Sequence, residues 1–97
     1  MGGGGVSRRI QKYRLMPGTP IPLDLPRDAI FRAVGSQDDG PVLWFEVETT
    51  ATLERREFFV YGTGHAIIED GLSYLGTTQT DEGLVWHVYE RPPRRAA

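Results

Sequence analysis

VLWFEVET, residues 42–49, sets Leu43, Phe45 and Val47 on one side of an extended chain and Trp44, Glu46 and Glu48 on the other. Side chains alternate across a β-strand, so this two-residue period marks a strand with one face in a core and the other toward water. Just before it, SQDDGP (Ser36–Pro41) is a turn by composition, and Asp39-Gly40 is a strong hairpin signal. DAIFRAVG (Asp28–Gly35) reads as extended. After it, ATLERR (Ala51–Arg56) reads as a loop or one turn of helix. REFFVYG (Arg56–Gly62) is then apolar on both faces, with Phe58 and Val60 one way and Phe59 and Tyr61 the other.

The pattern continues outward. IQKYRL (Ile10–Leu15) puts Gln11, Tyr13 and Leu15 on one face. PGTPIPLDLP (Pro17–Pro26) sets Ile21, Leu23 and Leu25 two apart, while Pro17, Pro20, Pro22 and Pro26 lack backbone donors and confine any strand there to a sheet edge. SYLGTTQT (Ser73–Thr80) and GLVWHVYE (Gly83–Glu90) complete the set. The second has Leu84, Trp86 and Val88 on one face and Val85, His87 and Tyr89 on the other.

Strands at intervals of about ten residues, with no sustained helical period, predict an all-β fold. The expected form is a small sandwich or a barrel-like antiparallel sheet of about six to seven short strands, with little or no helix. Two strands are apolar on both faces, so either a second layer covers them or another subunit does, and a homo-oligomer is expected. The organisation reads as a flexible Gly-rich and basic lead over 1–9, one β domain over 10–90 and a basic Pro/Arg tail over 91–97.

With 97 residues, 39% apolar and 10% aromatic, the chain has material for one compact core. It has no cysteine, which removes disulfide scaffolds, thiolate nucleophiles and Cys-based zinc sites, and fits a reducing compartment. No apolar run is long enough to span a bilayer, so no membrane partner is expected. In the opening MGGGGVS, Val6 stands where a myristoylation signal needs Ser or Thr. Of the 11 basic residues only Lys12 is lysine, a usage that fits a GC-rich genome. The net charge of −2 is unevenly spread: cations gather at the two ends, and the acidic residues lie between. An acidic body argues against gripping duplex nucleic acid, which needs clustered Lys and Arg.

The sharpest local feature is Gly62-Thr63-Gly64-His65. Glycines let backbone N–H groups converge on an anion, with Thr63 and His65 as further donors; equally, the four residues are a β-turn closing the preceding strand. A small anionic, nucleotide-like ligand would take its phosphates from that turn with Arg55 or Arg56, and a Tyr or Trp would stack its base. Thr77, Gln79 and His87 join Thr63, Gly64 and His65 as candidate ligand-binding residues. Tyr13, Trp44, Tyr61, Tyr74, Trp86 and Tyr89 supply aromatic surface, either to a ligand or to the core. His65 and His87 with Glu69 or Asp70 would be the makings of a metal or acid–base site, but no metal-binding spacing is present. No metal, cofactor or catalytic residue is assigned, and an enzyme is the minor reading.

Taken together, QKYRL, VLWFEV, REFFVYGTGHAI, YLGTTQ and VWHVYE resemble a family of small proteins encoded by bacteriophages and prophages. The resemblance covers most of residues 11–90. It singles out Gly62, Thr63, Gly64, His65, Gly76, Thr77, Gln79, Trp86 and His87 as positions of the shared motif, while the Gly-rich start and the RPPRRAA end depart from it. It implies a phage-encoded accessory protein in the cytoplasm of the infected host, or in the virion, and carries no catalytic role. Two functions follow as expectations: sequestration of a small anionic signal of host defence, or interaction with a host or virion protein.

Overall fold

The computed structural model describes residues 7–16, 20–38 and 40–92. Among these residues seven antiparallel strands form two sheets: β1 (Arg8–Arg14), β2 (Ile21–Pro26), β3 (Ile30–Gln37), β4 (Gly40–Glu48), β5 (Leu53–Gly62), β6 (Ser73–Gln79) and β7 (Val85–Arg91). One sheet runs β1-β4-β3 and the other β2-β5-β7-β6. Among the described residues no backbone ladder joins the sheets, so of the two expected forms the sandwich is the one present.

The alternation in β4 does what its pattern predicts. Leu43, Phe45 and Val47 are buried in the core with Leu15, Leu25, Ala29, Phe58, Val60 and Val88, while Trp44, Glu46 and Glu48 are half-buried on the outer side. Phe45 links the layers. Its ring meets Tyr13, Phe31 and Phe58 edge-on at 6.0, 5.7 and 5.9 Å. Each such pair contributes about 0.5–1.5 kcal/mol beyond the area it buries.

β2 lies at a sheet edge, as its prolines require. On the opposite seam β3 and β6 close against each other. Ser36 Oγ lies 2.5 Å from Thr78 Oγ1, and a Cβ on Gly76 would stand 2.5 Å from Val34 Cγ1. Only a glycine allows that approach.

The structure corrects two boundaries. Leu53–Arg56 is not a loop or a helical turn but the start of β5, paired with Asp24–Pro26 and Leu23 of β2; the bend lies over 49–52. The SQDDGP turn is shorter than its composition suggests, because Ser36 pairs with Pro41 and Gln37 with Gly40. That leaves a two-residue connection with Asp38 at φ 49, a left-handed conformation that Asp tolerates; Asp39 lies outside the described residues. Residues 1–6 of the Gly-rich lead and 93–97 of the tail also lie outside them. β1 begins within the lead, at Arg8, and β7 runs through Arg91.

The two-faced strand is covered from within the chain. Phe58 and Val60 enter the core between the sheets, whereas Phe59 and Tyr61 are buried on the outer face of the four-stranded sheet. There the Arg91 guanidinium sits 5.1 Å over the Phe59 ring, and Tyr89 packs edge-on against Tyr61 at 5.8 Å. A second subunit is therefore not required to shield these rings.

Candidate functional site

Gly62-Thr63-Gly64-His65 is a closed turn. The His65 N–H donates to the Gly62 carbonyl at 3.1 Å, and Gly64 holds φ 90, a conformation that L side chains rarely adopt. The Gly62 N–H also donates to His65 Nδ1 at 3.1 Å, which leaves the proton of a neutral His65 ring on Nε2. Two of the backbone donors that an anion nest would use are thus satisfied inside the turn.

The neighbouring chemistry is a row of polar side chains on the outer face of the four-stranded sheet. His87 Nε2 lies 2.8 Å from Thr63 Oγ1, and His87 Nδ1 lies 2.8 Å from Thr77 Oγ1. Thr77 Oγ1 is in turn hydrogen-bonded to the Tyr74 hydroxyl. The row Thr63–His87–Thr77–Tyr74 can run in either direction, because a neutral imidazole donates at one nitrogen and accepts at the other. One direction leaves the Thr63 O–H free to donate outward, and the other leaves the Tyr74 O–H. With His87 protonated both nitrogens donate, and both end hydroxyls then have protons to offer.

A β-bulge makes this row possible. The β6–β7 register slips between Tyr74, opposite Tyr89, and Gly76, opposite Val88. In an unbroken strand, residues three apart face opposite sides. The extra residue, Leu75, packs toward the core and turns Thr77 to the same face as Tyr74. Tyr74 itself is 57% exposed, and its ring is tilted on Tyr89 at 5.3 Å.

A shallow depression of about 320 Å³ adjoins the row, lined by Gly62, Thr63, His65, Gly83, Leu84, Val85 and Trp86. Next to the row lies the Arg91 cluster: Arg91 Nε is 2.9 Å from Glu57 Oε1, and its NH2 is 3.2 Å from Glu69 Oε2. Beneath it the Tyr61 hydroxyl is buried with no hydrogen-bond partner among the described residues. Burial, helped by the nearby Glu69 charge, raises the Tyr61 pKa above that of an ordinary phenol.

The candidates therefore separate into two groups. Thr63, Thr77 and His87 come together, with Gly64 and His65 in the adjoining turn and Gln79 exposed two residues beyond Thr77 on β6. Arg55 and Arg56 do not join them. They lie at least six residues down β5 from Gly62, a span of roughly 20 Å at strand rise. Arg55 pairs with Asp24 at 3.1 Å. Arg56, in step with Phe58, turns inward to Glu90 and the Ala29 carbonyl. Glu69 is held by Arg91, so the imidazole–carboxylate pairing does not form there. No group of three metal-ligating side chains lies together among the described residues.

The family model described as a domain of unknown function (DUF7352) matches residues 6–97. The chain belongs to that family. The match spans all seven strands of this DUF7352 protein, with the bulge, the turn and the polar row inside it. No curated protein and no solved structure matches the chain.

In the sequence Tyr74 stands out only as aromatic surface and as the start of YLGTTQ, and Leu75 only as a member of that strand. The available signal was Gly76 in the middle of a strand, which often marks a bulge.

Proposed function

We propose that this DUF7352 protein is a non-enzymatic, phage-encoded accessory protein that binds a small nucleotide-like molecule at the Thr63–His87–Thr77–Tyr74 row. The observation that carries this reading is that both ring nitrogens of His87 are engaged by threonine hydroxyls, with no carboxylate bonded to either among the described residues. A general base keeps one nitrogen open to the substrate and a partner on the other. A histidine held on both sides positions hydrogen bonds instead. The exposed Tyr74 ring offers a stacking surface beside those donors and acceptors, the pairing of features that recognises a heterocycle and its edge. Because Arg55 and Arg56 lie elsewhere, recognition falls on the base and sugar more than on the phosphates.

Thermal unfolding with nucleosides and nucleotides tests this. A ligand at a hundredfold excess over its dissociation constant stabilises by about 2.7 kcal/mol. The gain is expected in the wild type and is lost in Thr77→Val, which keeps the side-chain shape and removes the hydroxyl. No gain from any nucleoside or nucleotide overturns the reading.

One observation favours a second reading, interaction with a host or virion protein. Ile67 and Ile68, consecutive in the segment between β5 and β6, are 48% and 83% exposed. Native mass spectrometry separates the two readings. A retained small molecule supports the first, and an Ile68-dependent protein complex without one supports the second.

A further inference from the structure

Each sheet of a sandwich leaves two edges, here β1 and β3 on one and β2 and β6 on the other. Three of the four are protected. β3 and β6 lie against each other through Ser36, Thr78, Val34 and Gly76. In β2 and just before it, Pro20, Pro22 and Pro26 fall on alternate residues, where a proline is tolerated only with its nitrogen turned away from the ladder. They strip three of the four donors from that row, leaving the N–H of Asp24.

β1 has none of these devices. Its sequence RRIQKYR contains neither proline nor glycine, its register with β4 is unbroken from Arg8 to Arg14, and among the described residues β4 is its one neighbour in the sheet. Alternate N–H and C=O groups along its other side are open to pairing with an added strand.

Its charge decides what kind of strand fits. Arg8, Arg9, Lys12 and Arg14 are cations, and β1 carries no acid. A second copy pairing antiparallel with β1 would line the join with four cations from each copy and no acid from either strand. Basic side chains on an edge are a recognised guard against such self-pairing. Arg8 and Arg14 are neutralised internally by Glu46 at 3.1 Å and Asp38 at 2.5 Å. Lys12 Nζ bonds the neutral Gln37 amide oxygen at 2.6 Å, and Arg9 makes no ion pair among the described residues. These two residues point to opposite faces of the strand, so a partner strand with acids on either face finds a cation. Ile10, 55% exposed between them, offers an apolar contact.

We propose that β1 is a docking edge for an extended, acidic segment of a partner protein, added as a fourth strand beside β1. This goes beyond the ligand reading above and involves a separate surface.

The test uses the full chain, isotopically labelled, and a capped seven-residue peptide of alternating glutamate and valine, matched to β1 in length. Amide signals of Arg8–Arg14 are expected to shift, and alternate ones to gain protection from exchange. Replacing glutamate by lysine in the peptide weakens binding on the order of tenfold. Of two peptides N-methylated on the odd or the even residues, one keeps binding and the other loses it, because only one set of N–H groups faces β1. Arg9→Glu with Lys12→Glu reverses the preference toward the lysine peptide. If that variant fails to fold, the methylated pair on the wild type still decides. The proposal is overturned by equal binding of both methylated peptides, by shifts confined to another surface, or by no binding at millimolar peptide. Protection of β1 on raising the protein concentration alone also overturns it, and assigns the edge to a second copy.

Discussion

Gly62 and His65 are bonded to each other twice, through the Gly62 carbonyl and the His65 N–H and again through the Gly62 N–H and His65 Nδ1, each at 3.1 Å. A Cβ on residue 62 would stand 2.9 Å from His65 Cε1. Because the ring is exposed it can swing away, so Gly62→Ala breaks the side-chain bond rather than the fold. Loss of one such bond costs about 0.5–1.5 kcal/mol. His65→Ala removes the same bond. The two single variants are therefore expected to lose similar stability in urea unfolding, and the double variant little more than either. Full additivity would show that the contact does not couple them.

On the β3–β6 seam the backbone of Gly76 lies so close to Val34 that an added Cβ would stand 2.5 Å from Val34 Cγ1. Gly76→Ala forces a methyl group into the Val34 side chain, an overpacking expected to cost about 1–3 kcal/mol. Val34→Ala vacates that space, so the double variant should recover part of the loss. Gly76 also adjoins the bulge that aligns Thr77 with Tyr74, so Gly76→Ala is expected to move the His87 ring resonances as well. Unchanged His87 resonances would separate the seam from the row.

Much of this architecture is legible in the sequence because a two-residue period is a local signal. Leu43, Phe45 and Val47 declare their face without reference to any partner, and the prolines of β2 declare an edge. The polar row is less legible. Thr63, Thr77 and His87 are distant in the chain and meet only through the β5–β7 and β6–β7 registers, and Tyr74 joins them only because Leu75 is bulged. The placement of Arg56 escapes notice for a related reason. Its parity with Phe58 is visible, but an inward arginine needs Glu90, which comes from β7.

Stability should fall at both ends of the pH scale. The Arg14 hydrogen bond and charge hold Asp38 below its ordinary pKa, and Arg32, with Arg8, does the same for Glu46. Burial works against Glu48, but the N–H groups of Ser7 and Thr50 and the Thr50 hydroxyl outweigh it, and Glu48 is lowered too. Groups with lowered folded pKa values contribute above their unfolded values, about 3.9 for Asp and 4.3 for Glu, and lose that contribution as pH falls through the folded values. Tyr13 and Tyr61 are raised by burial, so their contribution is complete below about pH 10 and lost as pH rises through the folded values. Denaturant unfolding across pH checks both limbs. A stability that stays level from about pH 5 down to about pH 3 contradicts the acid limb.

Arg56 and Glu90 form the buried ion pair of the sandwich, at 2.5 and 2.8 Å, with side chains 11% and 8% exposed. The guanidinium also donates to the Ala29 carbonyl at 2.8 Å and lies 5.0 Å over the Phe45 ring, so it ties β5, β7 and the start of β3 to the central aromatic cluster. Taking both charges out of water is costly, and their attraction offsets that cost only while both are present. Removing one partner leaves a buried charge unanswered. Arg56→Met and Glu90→Leu are each expected to lose about 3–5 kcal/mol, whereas the two together lose much less than their sum because no charge is left stranded. Because these residues stand far from the Thr63–His87–Thr77–Tyr74 row, the double variant should retain ligand-induced stabilisation. If it folds and loses that stabilisation, the inward arginine takes part in binding after all, and the ligand site must be extended down β5.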